Sequence, residues 1–136
     1  MNYLITAAGL GSRFLKESIK PPKPLIKVKG MELLLWSLKS FDFKPKDSLY
    51  IVTLKSDKVK EILLKKINLI YPHINIYWLE LEKCLNGQLL TSLDEINFFK
   101  IKGEILIHNC DTSYKLEYEN IKNIFKKKCF WYYSIF

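Results

Sequence analysis

The chain has 136 residues, 49% hydrophobic, 14% aromatic and 26% charged, a balance that suits one globular domain with a sizeable core and excludes disorder. No stretch reaches the roughly 18 apolar residues of a membrane span, and no basic segment precedes the apolar run in MNYLITAAGLGSR, so neither membrane nor secretory signal is indicated and the cytoplasm is the expected compartment. The net charge is +8, and lysines cluster at Lys55 to Lys66 and Lys122 to Lys128. Interleaved with Ile, Leu and Val, these read as solvated helix faces; no helix-turn-helix or RNA-recognition pattern accompanies them, so nucleic acid is not an expected partner.

In chain order, Asn2 to Ala8 is a strand that ends in the turn Gly9-Leu10-Gly11-Ser12. The segment Lys20-Pro21-Pro22-Lys23-Pro24 cannot be helical throughout. Gly30 punctuates the chain, and Met31 to Phe41 has apolar residues at helical spacing. Leu49 to Leu54 is a strand. Asp57 to Tyr71 is an amphipathic helix with Val59, Ile62, Leu63, Ile67 and Ile70 on one side. Ile74 to Leu79 follows as a strand, Gly87 to Phe99 as a helix, Glu104 to Asn109 as a strand and Leu116 to Lys127 as a helix.

Strands alternating with helices of this length mean βαβ units and a mostly parallel sheet covered on both faces, a Rossmann-like three-layer α/β/α fold. Ligands of such sheets bind at the carboxyl ends of strands, which singles out the segments after Ala8 and Asn109. The final run, Cys129 to Phe136 (CFWYYSIF), is apolar and aromatic and stops without a polar tail. It is expected to be a cut within a larger fold, with a last strand tucked into the sheet as the alternative. Cys84, Cys110 and Cys129 are odd in number and form no C-x-x-C pair, so they read as buried free thiols.

The strongest constellation is Ala7-Ala8-Gly9-Leu10-Gly11-Ser12-Arg13 followed by Lys23 within P-P-K-P-L-I. Glycines after a strand let backbone N–H groups wrap a phosphate chain. Small Ala7 and Ala8 let a planar base lie against the main chain. Arg13 offers a forked, permanently charged donor set, and Lys23 a point charge on a stiff proline-flanked segment. Pre-placed cations suit phosphoryl-type transfer, which is catalysed by positioning and charge stabilisation. A dinucleotide fingerprint would need glycine where Phe14 stands, and a Walker A loop is absent.

A second constellation is Ile105-Leu106-Ile107-His108-Asn109-Cys110-Asp111. A hydrophobic strand ending in a carboxylate can present a Mg²⁺ ligand at the sheet's edge; such an aspartate also serves as a turn or helix cap, and alone it leaves both readings open. Asn109 is placed to orient Asp111 or touch a ribose, and His108 falls on the alternate face as a packed or partly exposed histidine. Asn86-Gly87-Gln88 opens a helix whose free N–H groups favour anions, or is a plain turn.

Gly9-Leu10-Gly11-Ser12-Arg13 with Pro22-Lys23-Pro24-Leu25 resembles the signature of the sugar-phosphate nucleotidyltransferase family. The resemblance implies that residues 1–136 are the nucleotide-binding portion of an enzyme joining NMP from an NTP to a sugar 1-phosphate or similar phosphorylated acceptor, with release of pyrophosphate. Arg13 and Lys23 would contact the triphosphate and the transferred phosphate, Ala7, Ala8 and Gly9 the nucleoside, and Gly11 and Ser12 the phosphates. Asp111 would be the metal-binding aspartate for Mg²⁺, Gly87 the glycine beside the base, and Glu82 the reader of the base edge. Surface polysaccharide precursor synthesis is the implied setting. The family's second metal-binding aspartate has no match: Asp94, Glu95, Glu117 and Glu119 sit in no corresponding motif. Two rivals stand beside this reading, a truncated nucleotide-binding module without turnover and a glycosyltransferase that consumes a sugar nucleotide. The D-x-D of the latter is missing, since Thr112 and Ser113 follow Asp111. Base, acceptor and self-association are left open.

Overall fold

The computed structural model describes residues 1–85 and 87–113. The helix expected over Leu116 to Lys127, the run Cys129 to Phe136 and the side chain of Asn86 lie outside the described residues. Four strands, β1 (Asn2–Ala7), β4 (Ser48–Leu54), β5 (Asn75–Leu81) and β6 (Ile105–Asn109), form one sheet in the order β5-β4-β1-β6. Every pairing in it is parallel. The order runs outward from β1 through β4 to β5 and then returns to the other side of β1. That reversal lies between β1 and β6, and open α/β sheets bind ligands at the carboxyl ends of the strands at such a point.

Helices cover both faces, as the alternation of strands and helices predicts. On one face lie α2 (Leu33–Leu38) and α3 (Val59–Ile70). Their Leu34, Leu35, Leu38, Val59, Leu63 and Ile67 pack on Tyr3, Ile5, Leu49 and Ile51, all buried. Each side chain of this size stabilises by about 1.5–3 kcal/mol when removed from water. Rings of Tyr3, Phe41, Phe43 and Tyr71 stack along the same face with neighbouring centroids 4.8–5.6 Å apart, the tilted and edge-on spacing aromatic pairs favour. The opposite face carries α4 (Gln88–Phe99), whose Phe99 meets Tyr50, itself stacked on Tyr77 at 4.8 Å.

Three local expectations need correction. The helix expected from Met31 starts at Leu33, because Met31–Glu32 (β3) pairs antiparallel with Lys27–Val28 (β2) in a tight hairpin turning at Lys29 and Gly30. The Trp36 indole N–H donates to the Val28 carbonyl at 2.8 Å and pins that hairpin to α2. The same helix ends at Leu38, before the expected Phe41. In α3 the buried stripe is narrower than expected: Ile62 and Ile70 are exposed. Successive helical residues turn by about 100°, which swings Ile62 away from Leu63, while Ile70 lies in the last turn.

Candidate active site

The site begins where β1 ends. Ala7 and Ala8 are buried, and the chain then bends through Gly9, Leu10 and Gly11 into the short helix α1 (Ser12–Lys16). Gly11 is left-handed, with φ +60°, and a Cβ there would meet the Lys23 Cβ at 3.3 Å. The bend therefore needs glycine for its backbone shape and for the close passage of the lysine segment. Lys23 itself opens a 3-10 turn, Lys23–Leu25, with Pro22 before it and Pro24 inside it. Prolines fix φ on both sides of Lys23, so its Cα is held while the side chain stays free.

Two motifs distant in sequence meet here. The Lys23 ammonium lies 2.7 Å from Asp111 Oδ2, with the two side chains 26% and 30% exposed. Asp111 follows β6, whose end is tied down from the helical layer: Ser37 Oγ on α2 donates to the Asn109 carbonyl at 2.7 Å. His108 is buried, donates from Nε2 to the Thr112 carbonyl at 3.0 Å and sits edge-on to Phe41 at 5.1 Å. Burial holds its pKa below the usual histidine value, against the pull of the Thr112 hydrogen bond and Asp111. Of the two expected states, packed or partly exposed, His108 takes the packed one.

Two adjoining cavities of about 230 Å³ each share Gly9 and Lys23. One, at the β1–β6 reversal, brings together Ala7, Ala8, Gly9, Lys23, Gly87, Asn109 and Asp111. The other lies beneath the bend and is lined by Gly11, Phe14 and Ile19 on one side and Leu54, Ser56 and Asp57 on the other. Ser12 and Arg13 begin α1, are exposed and line neither cavity. Glu82 is also outside both; its carboxylate pairs with the Lys55 ammonium at 2.7 Å on the surface.

Gly87 has φ +106° and ψ 160°, a region only glycine occupies without strain. It aims the N-terminus of α4 at the cavity, and the first turns of that helix are stitched locally: Thr91 Oγ1 donates to the Gly87 carbonyl at 3.1 Å and Ser92 Oγ to the Gln88 carbonyl at 2.9 Å. Gln88, from the Asn86-Gly87-Gln88 motif, also lines the wall, together with Thr6, Cys84, Leu85, Thr91 and Cys110; Thr6, Leu85 and Thr91 belong to no motif singled out in the sequence. Thr91 was in principle visible, since it stands one helical turn beyond Gly87. Cys110 is buried, which pushes its thiol up to about 12 and leaves it protonated. Cys84 is half-buried and donates to the Leu85 carbonyl at 3.3 Å.

The donor chemistry fits a Mg²⁺ that arrives with phosphates. Asp111 offers one carboxylate at the cavity, and among the described residues no group of three or more His, Cys, Asp or Glu could hold a metal. One carboxylate plus phosphate oxygens and water is an ordinary Mg²⁺ shell, whereas a protein-only cage needs more ligands.

No protein-family model and no characterised protein sequence matches the chain. Its fold is shared with solved structures. A nucleoside-diphosphate-sugar pyrophosphorylase from Vibrio cholerae RC9 superimposes with a TM-score of 0.71 at 20% identity, over 90% of this chain and 52% of that one. A Bacillus anthracis structure assigned as a glucose-1-phosphate thymidylyltransferase, in complex with sucrose, gives 0.68 at 17% identity, over 95% and 51%. The chain thus spans about half the length of each. At these identities the likeness establishes the fold: a mostly parallel α/β sheet of the kind seen in nucleotidyltransferases. Among the described residues no helix is long and apolar enough to cross a membrane.

Proposed function

We propose that residues 1–136 are the nucleotide-binding portion of a nucleotidyltransferase that joins NMP from an NTP to a sugar 1-phosphate or similar phosphorylated acceptor and releases pyrophosphate. The observation that carries this reading is the 2.7 Å approach of Lys23 to Asp111 beside the Gly9–Gly11 bend. A cation, a carboxylate and a glycine turn share one cavity at the topological reversal of the sheet, where α/β enzymes bind nucleotides.

In this reading the nucleoside lies against Ala7, Ala8 and Gly9, with Gly87 leaving room for the base and Asn109 beside the ribose. The phosphates pass over Gly11 and Ser12. Lys23 offsets the charge that grows on the transferring phosphate, and Arg13, on the exposed start of α1, reaches over the bend to the departing phosphates. Asp111 is the residue that would hold Mg²⁺, which would supply Lewis-acid stabilisation of phosphate charge. Glu82 reads the base only if its surface pair with Lys55 opens. The setting we propose is the cytoplasm and the supply of precursors for surface polysaccharide. A second reading is a module that binds NTP without turnover, favoured by the lone carboxylate of Asp111 at the cavity, since among the described residues no group of three or more metal-ligating side chains is present.

The test is pyrophosphate release from each NTP with Mg²⁺ and a panel of sugar 1-phosphates and phosphorylated amino alcohols. Release with one NTP–acceptor pair, lost roughly a hundredfold or more in Lys23→Ala, supports the enzyme. Thermal protection by an NTP without release supports the module. Neither release nor protection rejects both.

A further inference from the structure

We infer that Lys23 serves two partners in turn, Asp111 and the triphosphate, so that this site accepts its divalent ion only as a metal–nucleotide complex. The inference rests on the nucleotide reading above and names the form in which the substrate enters. Lys23 and a divalent ion are competitors for the same carboxylate: the ammonium sits on Asp111 Oδ2 at 2.7 Å and so occupies the oxygen a cation would need. A second cation placed on Asp111 with the ammonium still there would meet strong like-charge repulsion at short range.

Among the described residues no second carboxylate lines the cavity at Asp111. Among the described residues no cluster of three or more metal-ligating side chains exists. The neighbouring carbonyls of Asn109 and Thr112 already accept from Ser37 and His108. A free divalent ion would therefore displace Lys23 for one carboxylate alone, a poor exchange for a strongly hydrated ion. A triphosphate changes the balance from the other side. It offers Lys23 several anionic oxygens in place of one carboxylate and brings oxygens that complete the metal's shell.

The structure makes that exchange easy for the lysine. Its backbone is fixed by Pro22 and Pro24 and by the close passage of Gly11, while its four-carbon stem is flexible. Lys23 lines both adjoining cavities, so a swing of the side chain alone takes the ammonium from Asp111 toward the bend. Both partners are only about three-quarters covered, and water can assist the handover.

Binding of Mn²⁺ alone to the full chain, followed by the paramagnetic resonance of the free ion, tests the competition without any turnover. The expected result is weak binding to the wild type, binding at least roughly tenfold tighter to Lys23→Met, and loss of that gain in the Lys23→Met/Asp111→Asn double variant. Lys23→Gln, which keeps a polar side chain on the turn, should show the same gain, and circular dichroism checks that each variant is folded. Equal Mn²⁺ affinity in wild type and both Lys23 variants overturns the inference, as does a gain that survives Asp111→Asn. Thermal protection of the wild type by each NTP with Mg²⁺ is read in parallel. A Lys23→Met gain without NTP protection would overturn the nucleotide as the agent that ends the competition; protection without the gain would overturn the competition and leave the nucleotide site standing.

Discussion

The two faces of the sheet are built on opposite rules. Beneath α2 and α3 the interior is apolar, with Tyr3, Ile5, Leu34, Leu38, Leu49, Ile51, Leu63 and Ile67 all fully buried. Under α4 the buried positions are Thr91, Ser92 and Glu95, while Leu89, Leu90, Leu93 and Phe98 are 41–64% exposed. The first face holds the fold together. The second leads to the cavity, and small hydroxyl residues that bond back to their own helix let α4 approach the sheet beside it. The cost is concentrated in Glu95: it is completely buried, neither carboxylate oxygen has a hydrogen-bond partner among the described residues, and burial raises its pKa to about 8.

If this division holds, substitutions on the two faces will differ in size and even in sign. Leu63→Ala, in the middle of the apolar face, should lower unfolding stability by about 4 kcal/mol through lost burial and a residual cavity; chemical denaturation measures it, and a loss below 1 kcal/mol would show that this face is not the main support. Glu95→Gln should act in the opposite direction. The folded chain keeps the Glu95 proton to about pH 8, whereas an exposed glutamate releases it near 4.5. Stability of the wild type therefore falls as pH rises through that window. The variant should lack this slope and gain on the order of 3 kcal/mol relative to wild type at pH 8 compared with pH 4. Parallel melting curves for both proteins across that range would break the assignment.

Gly87→Ala should be smaller, about 2 kcal/mol of strain at the start of α4, and should also weaken NTP binding because the wall of the cavity shifts. A variant that melts like wild type would mean the turn relaxes freely. The smallest effect is expected for Leu93→Gln on the outer side of α4, within about 0.5 kcal/mol of wild type; a loss comparable to Leu63→Ala would show that this leucine is covered.

The same contrast explains what the residues revealed before any coordinates. Strand and helix order, the parallel sheet and the stripe Val59, Leu63 and Ile67 follow from periodicity, because apolar burial on one face leaves a regular pattern. The β2–β3 hairpin does not, since two-residue strands carry no period and the turn rests on Lys29 at positive φ. The inward side of α4 is hidden for a different reason: a rule that turns leucines inward points Leu89, Leu90 and Leu93 the wrong way. Of the residues lining the candidate site, Gly9, Lys23, Gly87, Asn109 and Asp111 could be picked out because glycine bends, a proline-flanked lysine and polar residues at a strand's end are local features. Their meeting depends on the crossover that sets β6 beside β1, which no local pattern encodes. Thr6, Ser37, Cys84 and Thr91 are ordinary core-side residues in the sequence and gain a role only from where the sheet places them.

Whether a lysine and an aspartate from distant motifs form one triphosphate site is decided most directly by calorimetric titration of the full chain with each NTP and Mg²⁺. Saturable binding of at least one NTP, weakened roughly tenfold or more by Lys23→Ala and by Asp111→Asn without loss of fold, is the predicted result. Binding equally tight in both variants, or heat from none of the nucleotides, would contradict it.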